Sequence, residues 1–273
     1  MGINTTSQGS RLPFVAFFNS LGKSVINLVN NLGAATIFFS KSFALIFRPK
    51  QLPEIIQQVY YIGARSSTIV MLVGLFTGMV LGLQLYYVLA KLGSEGLLGS
   101  VITLALIREL GPVLAAIMIT ARAGSSMAAE IAILRISEQI DALYTMRIDP
   151  VRYLISPRIA ASIISFPLLT AFFDLIGILG GYLTGVVLLG ASGGTYFSRV
   201  QSSVDFVDIR GGFIKTLVFA IIVSTICCFQ GYFTHMRSDS HGAKSVSLST
   251  TSAVVLSCVM ILIADYVVTS ILM

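Results

Sequence analysis

Long apolar stretches without charge are the feature that most constrains this chain. The stretch Ser66–Ala90 has no charged residue, and it exceeds the ~18 apolar residues that mark a membrane-spanning helix. Charged residues make up 11% of the sequence, against about 25% in a typical soluble domain. The sequence therefore predicts an all-α integral membrane protein with about five transmembrane helices. We place them at residues 66–90, 97–121, 159–189, 211–234 and 248–272.

The region before the first span has a different composition. Residues 12–47 are rich in Phe and Leu but are interrupted by Lys and Asn. This pattern favours a pair of amphipathic helices that lie in the membrane interface, and a spanning helix over residues 32–47 stays open as the alternative. We therefore divide the chain into an N-terminal tail with interfacial helices, residues 1–57, and a membrane domain, residues 58–273.

The first span has glycines at every fourth position and one polar side chain at membrane depth. Gly74, Gly78 and Gly82 share one helix face, and small residues at this spacing let a second helix approach closely. That helix could belong to the same chain or to a second copy. Gln84 lies on a neighbouring face and needs a polar partner.

Several charged residues fall inside the predicted spans. They are Arg108, Glu109, Asp174, Lys215 and Asp265. Each costs about 2.5–3.5 kcal/mol at the centre of a span on insertion scales, so such residues usually pair with one another or line a water-filled cavity. Glu109 and Lys215 are expected at a similar depth, which predicts an ion pair. The pair either fixes the helix register or acts as a coupling element, and exchanging the two charges would test direct pairing.

The most strongly charged segment, residues 135–158, lies between the second and third spans. It carries Ile136, Ile140, Leu143 and Tyr144 at helical spacing, which predicts a short exposed helix with one apolar face. Basic residues concentrate on the side of the membrane that holds this segment and the N-terminus. The positive-inside rule therefore places both in the cytoplasm.

The remaining composition excludes other classes of protein. The net charge of +6 does not indicate nucleic-acid binding, because the basic residues flank apolar runs as topology signals do. Cys227, Cys228 and Cys258 lie inside apolar runs and have no metal-ligand spacing. We therefore expect no metal site, no cofactor and no nucleic-acid partner.

An ordered set of motifs resembles the MlaE/YrbE family of ABC-transporter permeases. The first-span and fourth-span segments Gly78–Gln84 and Ile214-Lys215 also fit the family, and the resemblance covers about residues 58–270. The central motifs are Arg108-Glu109-Leu110-Gly111-Pro112, Ala121-Arg122-Ala123-Gly124-Ser125, Ala129-Glu130, Glu138-Gln139 and Asp149-Pro150. Tyr144–Arg147 departs from the family, because a smaller and less basic stretch is expected there.

The resemblance implies a function and a set of partners. Family members are permeases that move phospholipids between the inner and outer membranes of bacteria, as homodimers bound to a cytoplasmic ABC ATPase. Periplasmic MCE-domain proteins, and in some systems a STAS-domain protein, complete the assembly. The resemblance places this chain in the bacterial inner membrane as a transporter subunit without catalysis of its own.

The resemblance also assigns roles to individual residues. The family's embedded charges match Arg108, Glu109 and Lys215, with Asp265 as a further embedded charge. The lipid cavity at the dimer axis would be lined by Leu81, Gln84, Val88 and Leu92. The ATPase-coupling segment would comprise Arg135, Glu138, Gln139, Asp141, Leu143, Tyr144, Met146 and Asp149.

Two other classes of function compete with this interpretation. A stand-alone secondary transporter could use the embedded charges for ion coupling, but an odd span count and the lack of a visible inverted repeat weaken this hypothesis. An intramembrane enzyme would need catalytic groups at membrane depth. The two histidines, His235 and His241, instead lie together in a loop.

Overall fold

We describe a computed structural model of the protein. It describes residues 52–236 and 242–272, together with residues 22, 33, 36–38 and 40. The chain divides into two compact units, Met1–Lys41 and Ser42–Met273, and the following description concerns the second. The predicted interfacial helices of residues 12–47 therefore lie almost entirely outside the described residues.

The described part of the second unit is helical and contains no strand, which confirms the predicted all-α class. Five helices are long and apolar enough to cross a membrane: α1 (Leu52–Lys91), α2 (Glu95–Ile136), α4 (Val151–Leu188), α6 (Phe206–Tyr232) and α7 (Ala243–Leu272). Two shorter helices connect them, α3 (Gln139–Thr145) and α5 (Gly193–Ser203). We call the end of the bundle that carries α3 the α3 end, and the opposite end the α5 end.

Most helices extend beyond the predicted spans. The α2 helix has 42 residues, which corresponds to about 63 Å at 1.5 Å per residue and is twice the ~30 Å hydrocarbon thickness. Hydropathy locates the part of a helix that lipid can surround, whereas backbone hydrogen bonding continues into the charged ends. The predicted boundary between residues 57 and 58 lies within α1, which runs through it without a break.

Helices α1 and α4 of the same chain approach each other closely enough for their backbones to be in contact. A Cβ atom on Gly74 would lie 2.8 Å from the carbonyl oxygen of Phe173, and one on Gly78 would collide with the backbone of Gly177. A Cβ on Gly82 would lie 3.1 Å from the carbonyl oxygen of Gly181. The glycine stripe of α1 therefore packs on its own chain, where small residues allow the two backbones to touch.

The α2 helix lies at the centre of the bundle and is interrupted by two π turns, Leu106–Leu110 and Thr120–Gly124. Its buried side chains include Ile102, Ile119 and Met127. One face of α2 packs against α6, where a Cβ on Gly231 would lie 2.7 Å from the carbonyl oxygen of Ala128. The side chains of α2 therefore form part of the buried core between the spans.

Candidate functional site: a charge cluster and a connected short helix

Lys215 of α6 is the centre of a charge cluster in the membrane. Its side chain is 3% exposed, and its Nζ lies 2.6 Å from Glu109 Oε2 and 3.1 Å from Asp265 Oδ1. The two carboxylates come from α2 and α7, so one ammonium group joins three helices. The cluster contains the ion pair expected from the sequence and adds Asp265 to it.

The ammonium group of Lys215 also donates a hydrogen bond of 2.8 Å to the carbonyl oxygen of Arg108. In a regular α-helix this carbonyl would accept from the backbone N–H of residue 112. That residue is Pro112, which has no N–H group. Lys215 therefore donates to a backbone carbonyl, within a π turn, that has no α-helical N–H partner, and an unsatisfied carbonyl in a membrane costs several kcal/mol.

Arg108 points away from this cluster and pairs with a residue that the sequence did not single out. Its Nε lies 2.7 Å from Asp208 Oδ1, and its side chain is 45% exposed. Asp208 belongs to a capping box with Asp205 at the start of α6. The Asp-x-x-Asp spacing is the signal that could have placed Asp208 on a helix, since a capping box fixes a helix start.

A cavity of about 380 Å³ adjoins the cluster at the α5 end. Three cationic side chains line it, Arg108, Arg210 and Lys215, together with the two carboxylates of Glu109 and Asp208. The wall also includes Val207 and Leu272. A cavity with paired charges and apolar walls suits an amphipathic molecule whose polar part is anionic or zwitterionic.

The predicted lipid-cavity residues lie elsewhere. Gln84, Val88 and Leu92 are exposed on the surface of the single chain, and Leu81 is half-buried against the core. The cavity beside Lys215 is lined by none of these four residues. Within one chain, the predicted lipid-cavity residues are therefore separate from the embedded charges around Lys215.

Asp174 of α4 has a separate environment. A Cβ on Gly111 would collide with Asp174 Oδ1, so the carboxyl group packs directly on the backbone that precedes Pro112. Among the described residues, Asp174 Oδ1 has no hydrogen-bond partner. Asp174 does not belong to the Lys215 cluster.

The segment predicted for coupling is helical over a shorter range than expected. The helix α3 comprises Gln139–Thr145, and the positive φ angles of 58° at Glu138 and at Arg147 bound it on either side. Asp149 follows in the turn before α4, where its carboxylate accepts a hydrogen bond from the N–H of Val151. Glu138 and Asp149 therefore flank the helix.

Arg135, at the end of α2, fixes the position of α3. It forms an ion pair of 2.7 Å with Asp141, and its Nε donates a hydrogen bond of 3.0 Å to His235 Nδ1. The hydroxyl groups of Tyr144 and Tyr232 are 2.7 Å apart. The same continuous helix that carries Glu109 near the α5 end thus supports α3 at the other end.

The predicted apolar face of α3 divides into a buried and an exposed part. Ile140 of this face is fully buried, whereas Tyr144 is half-exposed. Met146, which follows α3 and was not part of the predicted face, is 67% exposed. A cavity of about 230 Å³ beside the helix is lined by residues that include Leu134, Leu143 and Met146. The exposed part forms an apolar surface at the α3 end, next to charged residues.

The contact between Arg135 and His235 is expected to depend on pH. Burial and the adjacent Arg135 guanidinium lower the pKa of His235 below 6.5, although a hydrogen bond with the backbone of Tyr232 and the charge of Asp141 oppose the shift. Because the folded protein has the lower pKa, the unfolded protein takes up the proton first. The contribution of neutral His235 is present above about pH 6.5 and is lost as the pH falls through the folded pKa. Tyr232, whose ring lies under Arg135, completes this environment.

We expect the backbone amides of α3 to exchange hydrogen faster as the pH falls below 6.5, after correction for intrinsic rates. The variant His235→Gln keeps a hydrogen-bond acceptor but does not titrate, so its α3 amides are expected to show no such dependence. Equal pH dependence in both proteins would contradict this role of His235.

The fold and the charge cluster together define a polytopic helical membrane protein. Within the described residues, five helices are long and apolar enough to cross a membrane, and ion pairs join three of them. A short helix with an exposed apolar residue lies between the second and third of these helices. Such a combination is typical of membrane transporter subunits, whose embedded charges are paired and functional.

Comparison with known proteins identifies the family. Residues 55–271 match the family described as permease MlaE, and the chain belongs to this family. The intermembrane phospholipid transport system permease protein MlaE of Haemophilus influenzae is 41% identical over 262 residues, covering 94% of this chain and 98% of that protein. A probable ABC transporter permease protein of Rickettsia felis is 41% identical, with coverage of 92% and 95%. A chloroplast protein of Arabidopsis thaliana, TRIGALACTOSYLDIACYLGLYCEROL 1, is 37% identical over 79% of this chain and 60% of its own length.

Proposed function

We propose that this chain is the membrane permease subunit of an ABC transporter that moves phospholipids between the inner and outer membranes. The observation that carries the proposal is the arrangement of α2 in a chain of this family. The helix α2, which includes two π turns, carries Glu109 of the charge cluster and, at its end, Arg135, which supports α3. A relative named for phospholipid transport shares 41% identity over nearly its whole length.

The α3 helix is the docking site for the ATPase in this proposal. The exposed Tyr144 of α3 and Met146, which directly follows the helix, fit the helix-in-groove mode, in which an apolar face inserts into a groove of the partner. Arg135 and Asp141 hold the helix in place, and Leu143 and Gln139 complete the contact surface. The permease carries no catalytic residue of its own, and the ATPase supplies the energy for transport.

Topology and further partners follow from the same proposal. The positive-inside rule puts α3 and the N-terminus in the cytoplasm and the chain in the inner membrane. The α5 end then faces the periplasm, where an MCE-domain protein would receive the lipid, and a STAS-domain protein is a further candidate subunit.

A homodimer would give the exposed residues Gln84, Val88 and Leu92 of α1 a common lipid cavity. The amide group of Gln84 would then find hydrogen-bond partners in the cavity, which the hydrocarbon chains of lipids cannot provide. The names of the relatives as ABC permeases argue against a stand-alone secondary transporter.

The docking surface is tested with the variant Met146→Ser in the reconstituted complex of permease and ATPase. Loss of an apolar anchor in a binding groove costs the interaction roughly 2 kcal/mol, so we expect ATP-driven phospholipid transfer to fall more than roughly tenfold. Phe206→Ser, an equally exposed apolar residue at the α5 end, is the matched control and is expected to leave transfer unchanged. Equal transfer by the Met146→Ser complex and the wild-type complex would exclude α3 as the docking site.

A further inference from the structure

A second polar cluster lies near the α3 end, where α1 and α2 meet. Two guanidinium groups flank the ring of Tyr61: Cζ of Arg65 is 5.1 Å from the ring centroid, and Cζ of Arg122 is 5.7 Å from it. Tyr61 and Arg122 each lie in a π turn, Tyr60–Ala64 and Thr120–Gly124. Such turns are frequent at functional sites.

A directed chain of hydrogen bonds fixes the Tyr61 ring. Ser126 Oγ donates to Glu130 Oε1 at 3.1 Å, so the Tyr61 hydroxyl, 2.7 Å from Ser126 Oγ, is the donor to that oxygen. Glu130 Oε2 in turn accepts from Nη2 of Arg158 at 2.9 Å. Arg158 is 6% exposed. The ring is therefore held in position before any ligand arrives, and hydrogen bonds in such a chain strengthen one another.

The two cations beside Tyr61 lack a counter-charge among the described residues. Arg122 donates from Nη1 alone, to the carbonyl oxygen of Tyr61 at 2.9 Å and to Ser66 Oγ at 3.1 Å. Arg65 is exposed and forms no ion pair with any described residue. The nearby carboxylate of Glu130 is already paired with Arg158. Donors of both guanidinium groups are therefore available to an anion.

The position of the cluster in the membrane indicates which anion it meets. Arg65 directly precedes the uncharged stretch Ser66–Ala90, so its guanidinium lies where the apolar part of α1 ends, at the level of lipid headgroups. Ala64 and Ala121 are small and exposed beside the two arginines, which leaves the guanidinium groups open to the membrane surface. A planar guanidinium group binds phosphate oxygens in a bidentate manner.

We infer that Arg65 and Arg122, which contact the ring of Tyr61, form a binding site for the phosphate group of a phospholipid in the leaflet at the α3 end. The site is distinct from the Lys215 cluster, because Arg122 lies 14 residues along α2 from Arg108, or about 21 Å. It holds a lipid headgroup beside the contact of α1 with α2. The inference rests on the proposed function for the choice of phospholipid as ligand.

The test uses photo-crosslinking in the full complex of permease and ATPase, reconstituted in nanodiscs that contain phosphatidylglycerol. A photoreactive amino acid at Ala64 captures the neighbouring lipid, and mass spectrometry quantifies the adduct. Arg65→Gln and Arg122→Gln each remove a charge-assisted hydrogen bond to phosphate, so the adduct is expected to fall roughly tenfold or more. Arg199→Gln, an exposed arginine on α5, is the matched control and is expected to keep the adduct.

Each result decides the inference. The Arg65 side chain makes no hydrogen bond with a described residue, so Arg65→Gln is expected to stay folded even if Arg122→Gln does not. Undiminished lipid adduct in Arg65→Gln overturns the site. Binding of inorganic phosphate by the complex, lost in both variants, without a lipid adduct would overturn the lipid as ligand.

ATP-driven lipid transfer, measured in the same nanodiscs, separates this inference from the proposed function. Transfer by the wild-type complex without an arginine-dependent adduct rejects the site alone. An arginine-dependent adduct without ATP-driven transfer supports the site and rejects the proposed function.

Discussion

Replacing Lys215 by Met is expected to destabilise the protein by about 3 kcal/mol or more, because it leaves two carboxylates without their cation. Glu109 and Asp265 lose their shared partner, and the Arg108 carbonyl loses the donor that takes the place of the missing Pro112 N–H. The partial exposure of Glu109, 39%, places the expected loss at the lower end of the range for buried ion pairs. Thermal unfolding of the purified protein in mild detergent measures the loss.

Lys91→Met is the matched control, because Lys91 is exposed at the end of α1. It is expected to leave the unfolding temperature unchanged. If Lys215→Met and Lys91→Met unfolded at the same temperature, the cluster would contribute nothing to stability.

The structure changes the result that is expected when the charges of Glu109 and Lys215 are exchanged. From the sequence, the double variant Glu109→Lys with Lys215→Glu should restore the pair. In the structure, a carboxylate at position 215 would face Asp265 and the carbonyl oxygen of Arg108. Restoration is therefore expected to be incomplete, because only one of the three contacts of Lys215 is exchanged.

Replacing Gly78 by Ala is expected to cause the second large loss of stability. The added Cβ would collide with the backbone of Gly177, and a backbone cannot move aside as a flexible side chain can. Overpacking costs about 1–3 kcal/mol, occasionally more, and the upper end applies because α1 and α4 must separate along their length. Thermal unfolding and the yield of monodisperse protein measure the effect.

Gly194 offers a matched control on α5. A Cβ there would meet no atom within 4 Å, and the backbone does not require glycine. Gly194→Ala is expected to unfold at the wild-type temperature. Equal unfolding temperatures for Gly78→Ala and Gly194→Ala would show that the α1–α4 contact tolerates a methyl group.

The sequence predicted the class and the spans because both depend on composition along the chain. Runs of apolar residues mark the parts of a helix that lipid can surround, whichever helices they contact. The ion pair of Glu109 with Lys215 could be expected as well, since two opposite charges at similar depth in a membrane rarely stay apart.

The remaining contacts of the site depend on packing, which the sequence pattern does not determine. The spacing of Gly74, Gly78 and Gly82 fits any close helix, and only the structure places them against α4 of the same chain. Asp208 lies just before the predicted fourth span, residues 211–234, and the sequence pattern does not indicate its pair with Arg108. The bond from Lys215 to the Arg108 carbonyl depends on how α6 is turned toward Pro112.

The length of α3 could not be predicted from the sequence pattern either. Glu138 and Arg147 adopt positive φ angles, although neither is a residue type that favours them. The polar network of Tyr61, Ser126, Glu130 and Arg158 joins three helices whose neighbours had not been predicted. The sequence pattern around each of its members, taken alone, does not indicate a network.

The central claim is that this chain is a permease driven by a separate ATPase. The most direct measurement is to purify the tagged chain in mild detergent and identify by mass spectrometry the proteins and lipids that accompany it. The account predicts an ABC ATPase in integer ratio with the chain, together with bound phospholipid. A chain that purifies without an ATPase, and transports lipid in response to an ion gradient alone, would contradict it.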